Sequence, residues 1–292
     1  MAAYNFKREA KVYLVFEDNQ YNIDVSELNF SQTIMEKSIS SKTIQSQEMF
    51  ERAVINKANP ANFELTFPAL QEADLRVMFD RALDYQTFDL YIATDLDVFK
   101  LRNCVITNGV FIIEKLRPLS MSISGQASQL SLPGVLSGTP IVRSSDRTYN
   151  RVSDLVILLD GSDDLTESLN SIQIELQNNI KWNPWDTLQG VCVANDGRTI
   201  MYPETFVVPD RELSGTITCY LTGDNESRLL TWGTNTALNI EVGQDTYGFR
   251  FNMSDCFFQN NLNTRDIFTQ SYNWRLTENP AALSDLVTYE TL

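Results

Sequence analysis

Residues 99–109 read FKLRNCVITNG, and residues 251–261 read FNMSDCFFQNN. In both, a Phe stands five residues before a Cys, an Asn or Asp directly precedes that Cys, and two large apolar residues follow it. The offset is 152 residues, about half of a 292-residue chain. A pattern that returns at such an interval points to an internal duplication, and a duplication decides the architecture before any single element is placed.

The neighbouring segments repeat in the same order. FDLYI at 88–92 and LNIEV at 238–242 alternate apolar and polar residues, the pattern of a strand with one buried face. Each runs through a short acidic stretch, ATDLD or GQDT, into the Cys-bearing segment, so each half is expected to hold a β-hairpin there. Farther upstream, FELTF at 63–67 matches TITCYL at 216–221. Between that strand and the hairpin the first half carries a helical stripe, Leu75, Met78, Phe79, Ala82 and Leu83, with Pro68, Glu72 and Asp74 suited to its start. The second half offers a shorter helix over 224–233, with Asp224 as N-cap and Gly233 as stop. Downstream, LSMSI at 119–123 answers YNWRL at 272–276. The openings agree as well: KVYLVFEDNQYNIDVSEL at 11–28 against DLVILLDGSDDLTESL at 154–169.

After its next strand (LNFSQTI or NSIQIEL) each half carries a long polar excursion, at about 35–62 and 178–213. The stretch 129–150 is rich in Ser, Gly and Pro and reads as a linker. The expected fold is therefore mainly β with short helices: two tandem, similar β-sandwich or barrel domains at 1–128 and 151–292, each with one flanking helix.

Composition narrows the chemistry. Hydrophobic residues make up 43% of the chain and charged residues 21%, ordinary globular proportions. No stretch reaches the run of about 20 apolar residues that a membrane helix needs, and the N-terminus lacks a secretory pattern, so synthesis and assembly in the cytosol, away from membranes, are expected. Cys104, Cys192, Cys219 and Cys256 form no C-x-x-C pair and read as reduced, buried thiols. There is no histidine, which removes His-based triads and most zinc sites. The net charge is −15, with −4 on residues 1–146 and −11 on 147–292, so neither half suits a phosphate-gripping surface.

The remaining motifs favour structure over catalysis. Asp160-Gly-Ser-Asp163-Asp164 and Asp95-x-Asp97 supply hard oxygen ligands, but their spacing fits no calcium loop, and Asp and Gly are what hairpin turns require. No phosphate loop or dinucleotide fingerprint occurs. Ser124, within SISGQ, is read as a strand-end residue. Neither a catalytic centre, a cofactor nor a metal is expected. Tyr91, Phe99, Phe111, Tyr247, Phe249 and Phe251 fall in strand patterns, as core or as subunit interface. In the first excursion Met49, Phe50, Ala53 and Val54 would share one face of a short helix. Such an excursion is expected to act as an arm ordered by a partner. Met49, Phe50 and Val54, with Trp182 and Trp185 in the second excursion, are the candidate inter-subunit residues.

The order strand, hairpin, long loop, strand, short helix, hairpin, final strand resembles the tail tube proteins of long-tailed bacteriophages, in a two-domain variant whose repeats span 11–123 and 154–276. The likeness is one of architecture along nearly the whole chain, without a sharp motif, so it transfers no individual residue. It implies a β-sandwich or small barrel flanked by a helix, and homotrimers that form pseudo-sixfold rings stacked into a virion tail tube. Other tail proteins (tape measure, terminator, baseplate) would be partners, and DNA would pass along an acidic lumen without specific binding. Three other roles remain open. One is a distal-tail or baseplate-hub ring. Another is a carbohydrate- or receptor-binding β-module, with Trp182, Trp185 and Trp274 as stacking platforms. The third is an enzyme without His, a carboxylate-dependent glycosidase whose two acidic residues the sequence does not single out.

Overall fold

The structure is a computed structural model. It describes residues 7–37, 40–43, 46–50, 55–68, 72–114, 117–132, 134–141, 154–182, 200–225, 235–244, 247–264, 266–278, 280 and 282–291. The first half contributes β1 (Lys11–Phe16), β2 (Asn19–Ile23), β3 (Glu27–Ser31), β4 (Ile34–Lys37), β5 (Ser40–Thr43), β6 (Ser46–Phe50), β7 (Ile55–Ala58), β8 (Ala61–Phe67), helix α1 (Glu72–Leu83), β9 (Phe88–Ala93), β10 (Val98–Glu114), β11 (Ser120–Ala127), β12 (Gln129–Ser131) and β13 (Thr139–Pro140). The second contributes β14 (Asp154–Leu159), β15 (Leu169–Trp182), β16 (Ile200–Met201), β17 (Phe206–Tyr220), β18 (Asn235–Gln244), β19 (Tyr247–Thr264), β20 (Phe268–Leu276) and β21 (Val287–Thr291). The chain is mainly β with short helices, as its alternating segments predict.

The two halves pair their strands in the same order. In the first, β1 pairs β9, β9 pairs β10, β10 pairs β11, β11 pairs β8 and β8 pairs β3, all antiparallel. In the second, β14 pairs β18, β18 pairs β19, β19 pairs β20, β20 pairs β17 and β17 pairs β15, again antiparallel. Even the turns agree. After β1, Glu17 and Asp18 take φ 48° and 61°; after β14, Asp160 and Gly161 take 49° and 77°. Two successive left-handed residues make the tight turn whose twist suits a hairpin, so Asp160-Gly161 serves as a turn.

The repeated Cys stretch marks a strand changing sheets. Between Leu101 and Cys104 the register with β9 shifts by one residue, and between Met253 and Cys256 the register with β18 shifts likewise. Before this bulge β10 pairs with β9 and β12; after it, β10 pairs with β11. β19 does the same, passing from β18 and β21 to β20. An extra residue bends a strand and sharpens its twist, which lets one strand serve both layers of a sandwich. Asn103 sits at the bulge with φ 50°, a conformation Asn tolerates. Asp89 holds it there: its Oδ1 accepts from the Asn103 backbone N–H at 3.0 Å, and its Oδ2 pairs with Lys100 Nζ at 2.7 Å.

Beyond the bulge, β3, β8, β11, β10, β15, β17, β20 and β19 form one continuous eight-stranded sheet that crosses both halves. Its inner face is core: Leu65, Ile123, Phe111, Ile174, Ile217 and Tyr272 are all buried in one cluster. α1 covers part of this core with Met78, Phe79, Ala82 and Leu83, as its stripe predicts. Its expected counterpart at 224–233 lies mostly outside the described residues.

Several expectations need correction. Met49 and Phe50 lie in β6, paired with Ser41 and Ser40 of β5, and not on a helix. A local hairpin satisfies the backbone of this polar stretch by itself. The second excursion is shorter than its polarity suggests, because β15 runs on to Trp182 and β17 begins at Phe206. Ser124 lies within β11 and not at its end. Of the stretch read as a linker, residues 129–141 carry β12 on β10 and β13 on β2, while 142–150 lie outside the described residues.

Candidate assembly interface

The halves are joined by β10 and β15, an antiparallel pair running from Asn108↔Gln177 to Glu114↔Ser171. On the core side Phe111 faces Ile174 and Ile113 faces Ile172. The rings interlock across the joint. Phe79 of α1 meets Phe111 edge-on at 5.6 Å and Phe251 of the second half at 5.2 Å, and Phe111 meets Phe249 at 5.6 Å. Such edge-to-face clusters contribute about 0.5–1.5 kcal/mol per pair beyond burial.

One buried polar side chain ties the joint together. Asn178 of β15, 2% exposed, donates from Nδ2 to Ala82 O and to Ile106 O, each at 3.0 Å. Ala82 O belongs to the last turn of α1, where carbonyls lack helical partners. Ile106 O lies at the second bulge of β10, opposite β11. The alternation Ile172, Ile174, Leu176 places 178 on the inner face, so a polar residue breaking an apolar row was the available sequence signal for this tie.

A glycine and an aromatic ring face each other at the same place in each half, with the strands exchanged. Phe63 of β8 lies opposite Gly125 of β11, whereas Gly215 of β17 lies opposite Trp274 of β20. A Cβ on Gly125 would collide with the Phe63 ring and Val105 O. A Cβ on Gly215 would collide with Gln173 O and approach the Trp274 ring to 2.6 Å. Trp274 is 2% exposed, so it offers no face for stacking a sugar.

Among the described residues, matching edges lack partners at the two ends of the eight-stranded sheet. Among the described residues, β3 pairs only with β8, and β19 over Asn261–Thr264 pairs only with β20. Beside that second edge, Leu262, Ile267 and Phe268 are 43%, 65% and 48% exposed.

Of the residues proposed from sequence, Trp182 stands at the end of β15. Its ring lies 5.2 Å from Phe206, and its Nε1 donates to Gln126 Oε1 of the first half at 2.9 Å. It therefore braces the internal joint. Met49 and Phe50 lie in the β5–β6 hairpin, apart from that joint in sequence and pairing. Val54 and Trp185 are outside the described residues. The two excursions meet, since β16 pairs in parallel with β7, which also pairs with β4.

The outer face of the eight-stranded sheet is polar, and a depression of about 360 Å³ on it is lined by Glu175, Glu212, Thr216, Asn273 and Arg275 among others. Beneath the sheets, Cys104, Cys219 and Cys256 are buried, and burial raises their pKa values, to about 11 for Cys219, about 12 for Cys256 and well above the ordinary thiol range for Cys104. Since the thiolate is the reactive form, these three are expected to resist maleimide in the native protein at pH 7.5 and to react at once in 6 M guanidinium, about a hundredfold or more faster. Rapid native labelling of any of them, located by peptide mass, would contradict this packing.

No protein-family model matches the chain, and no curated protein matches it significantly.

Proposed function

We propose that the chain is a structural ring subunit of the tail-tube type: three copies close a pseudo-sixfold ring, and rings stack into a hollow tube through which DNA passes. The observation that carries this reading is the eight-stranded sheet with one core face, one largely polar face and, among the described residues, an unpaired edge at each end. Joining such sheets edge to edge removes the exposed edges, which otherwise pair indiscriminately. Three copies supply roughly 24 strands; at about 4.8 Å each the circumference is ~115 Å and the diameter ~37 Å, wider once the strands tilt. That bore admits a DNA duplex.

The polar face supports the channel role. Its rows carry Ser, Thr, Asn and Gln with Glu27, Glu64, Glu114, Glu175 and Glu212, beside one cation, Arg275, and the apolar Val110, Ile112 and Phe257. Amides and hydroxyls with five carboxylates against one guanidinium give a face that on balance repels phosphate. The polar excursions, brought together by β7 and β16, supply contacts between rings.

Two experiments test this. Negative-stain microscopy of the purified protein is expected to show hollow tubes; rings that never stack would favour a distal-tail or hub role, and dispersed monomers at all concentrations would reject the reading. The triple variant Glu64→Lys, Glu175→Lys, Glu212→Lys is expected to convert a particle indifferent to duplex DNA at 50 mM salt into one that binds it at least about tenfold more tightly, with affinity falling steeply as salt rises. Equal, weak binding by both would place these side chains away from the bore.

A further inference from the structure

The internal joint shows how one half completes another, and the bare edges are the counterparts of the two edges already used. We infer that β19 of one copy, over Asn261–Thr264, pairs antiparallel with β3 of a second copy in the register that sets Leu262 opposite Phe30 and Asn263 opposite Asn29. This deepens the reading that copies of the chain associate, and rests on it.

The exchanged glycine–aromatic pairs fix the alignment. Because Phe63 faces Gly125 where Gly215 faces Trp274, Phe63 corresponds to Gly215 and Gly125 to Trp274. Counting along the ladders from there, Phe111 corresponds to Leu262, Leu119 to Phe268, and Ile174 to Phe30. Phe111↔Ile174 is an existing pair, so Leu262↔Phe30 is its image between copies.

Exposure agrees with this image. Phe111, paired with Ile174 and packed on Phe249 of the second half, is 2% exposed and Leu119 0%; Leu262 and Phe268, with nothing described in that place, are 43% and 48% exposed. The other side of the joint is less exposed. On β3, Leu28 is buried and Phe30 is half-buried against Phe99 at 5.3 Å. Four residues on from Phe30, Ile34 of β4 stands where the chain count from Ile174 places Asn178, and it is 52% exposed. The bare apolar residues at joint positions are therefore Leu262 and Phe268 on one edge and Ile34 beside the other. The two edges differ, so the contact is head-to-tail: each copy added leaves one edge of each kind bare until the ring closes.

The test uses the full chain in a Cys192→Ser background, whose other thiols are buried. Asn29→Cys is mixed with Asn263→Cys, and Ser31→Cys with Asn261→Cys; Ser31→Cys with Asn263→Cys is the out-of-register control. Directly opposed residues lie within disulfide reach and diagonal ones do not. Both in-register mixtures are expected to oxidise to covalent dimers about tenfold faster than the control, and the double variant Asn29→Cys/Asn263→Cys to ladder to a covalent trimer and stop. Assemblies in which the in-register mixtures link no faster than the control would overturn this joint while leaving association intact. Variants that stay monomeric, like the unmodified chain beside them, would overturn both.

Discussion

Replacing Gly215 by alanine is expected to lower the unfolding free energy by about 3 kcal/mol, a large share of a typical domain's stability. The reason is geometric. The new methyl would overlap Gln173 O, a backbone atom of the paired strand, and press on the Trp274 ring. A flexible side-chain tip could swing aside; a carbonyl in a ladder cannot move without breaking its pairing. Gly125→Ala meets Val105 O and the Phe63 ring and is expected to behave alike. Gly109→Ala provides the contrast. Its Cβ would meet Met121, Ile123 and Leu176 at 3.8, 3.9 and 4.0 Å, ordinary contact distances, at a small apolar void lined by Phe79, Phe111 and Ile174. There the change is expected to raise stability by about 0.5–1 kcal/mol, mostly by restricting the unfolded chain. Urea unfolding of the three variants checks this. Equal effects at Gly109 and Gly215 would mean that the exchanged glycine–ring pairs are misplaced.

The second large effect belongs to Asn178. Asn178→Ala removes both donors that satisfy Ala82 O and Ile106 O and leaves a cavity at the joint, at a cost of about 3–4 kcal/mol. Asn178→Asp keeps the shape and is expected to be worse at neutral pH, because a buried carboxylate would face two carbonyl oxygens. Burial there raises the carboxyl pKa in the folded state above its unfolded value. The folded variant then binds its proton first as pH falls, so this variant should gain stability between pH 7 and about pH 4 relative to Asn178→Ala. Urea midpoints across that range measure the difference. A constant gap would show that residue 178 does not face the carbonyls of α1 and β10.

The legible part of this fold was the part written in short periods. Alternation in 88–92 and 238–242, the stripe Met78–Phe79–Ala82–Leu83, and the acidic turn at Asp160-Gly161 each produce the element they predict. The bulge before Cys104 was visible as a repeated motif but not as a bend. Leu101 and Cys104 are both fully buried three residues apart, which breaks a period of two and makes a 17-residue strand look like two short ones. The joint between the halves carried no local signal at all. Phe111 and Ile174 look like any core residues, and only their pairing across 63 positions makes them an interface. Asn178, Asn179 and Lys181 looked like loop because polarity was read as exposure, whereas β15 continues there by backbone pairing with β17. The candidate contact residues were sought in the excursions for the same reason, and the exposed Leu262, Ile267 and Phe268 of the β19–β20 hairpin, in strand patterns, were not singled out.

The rotational symmetry of a single purified ring, seen down its axis by cryo-electron microscopy, tests the central idea most directly. Threefold symmetry with six similar lobes is expected, with a mass of about three times the 33.3 kDa chain and a continuous sheet around the bore. A twofold particle, or a ring whose neighbouring copies touch without β19 meeting β3, would contradict it.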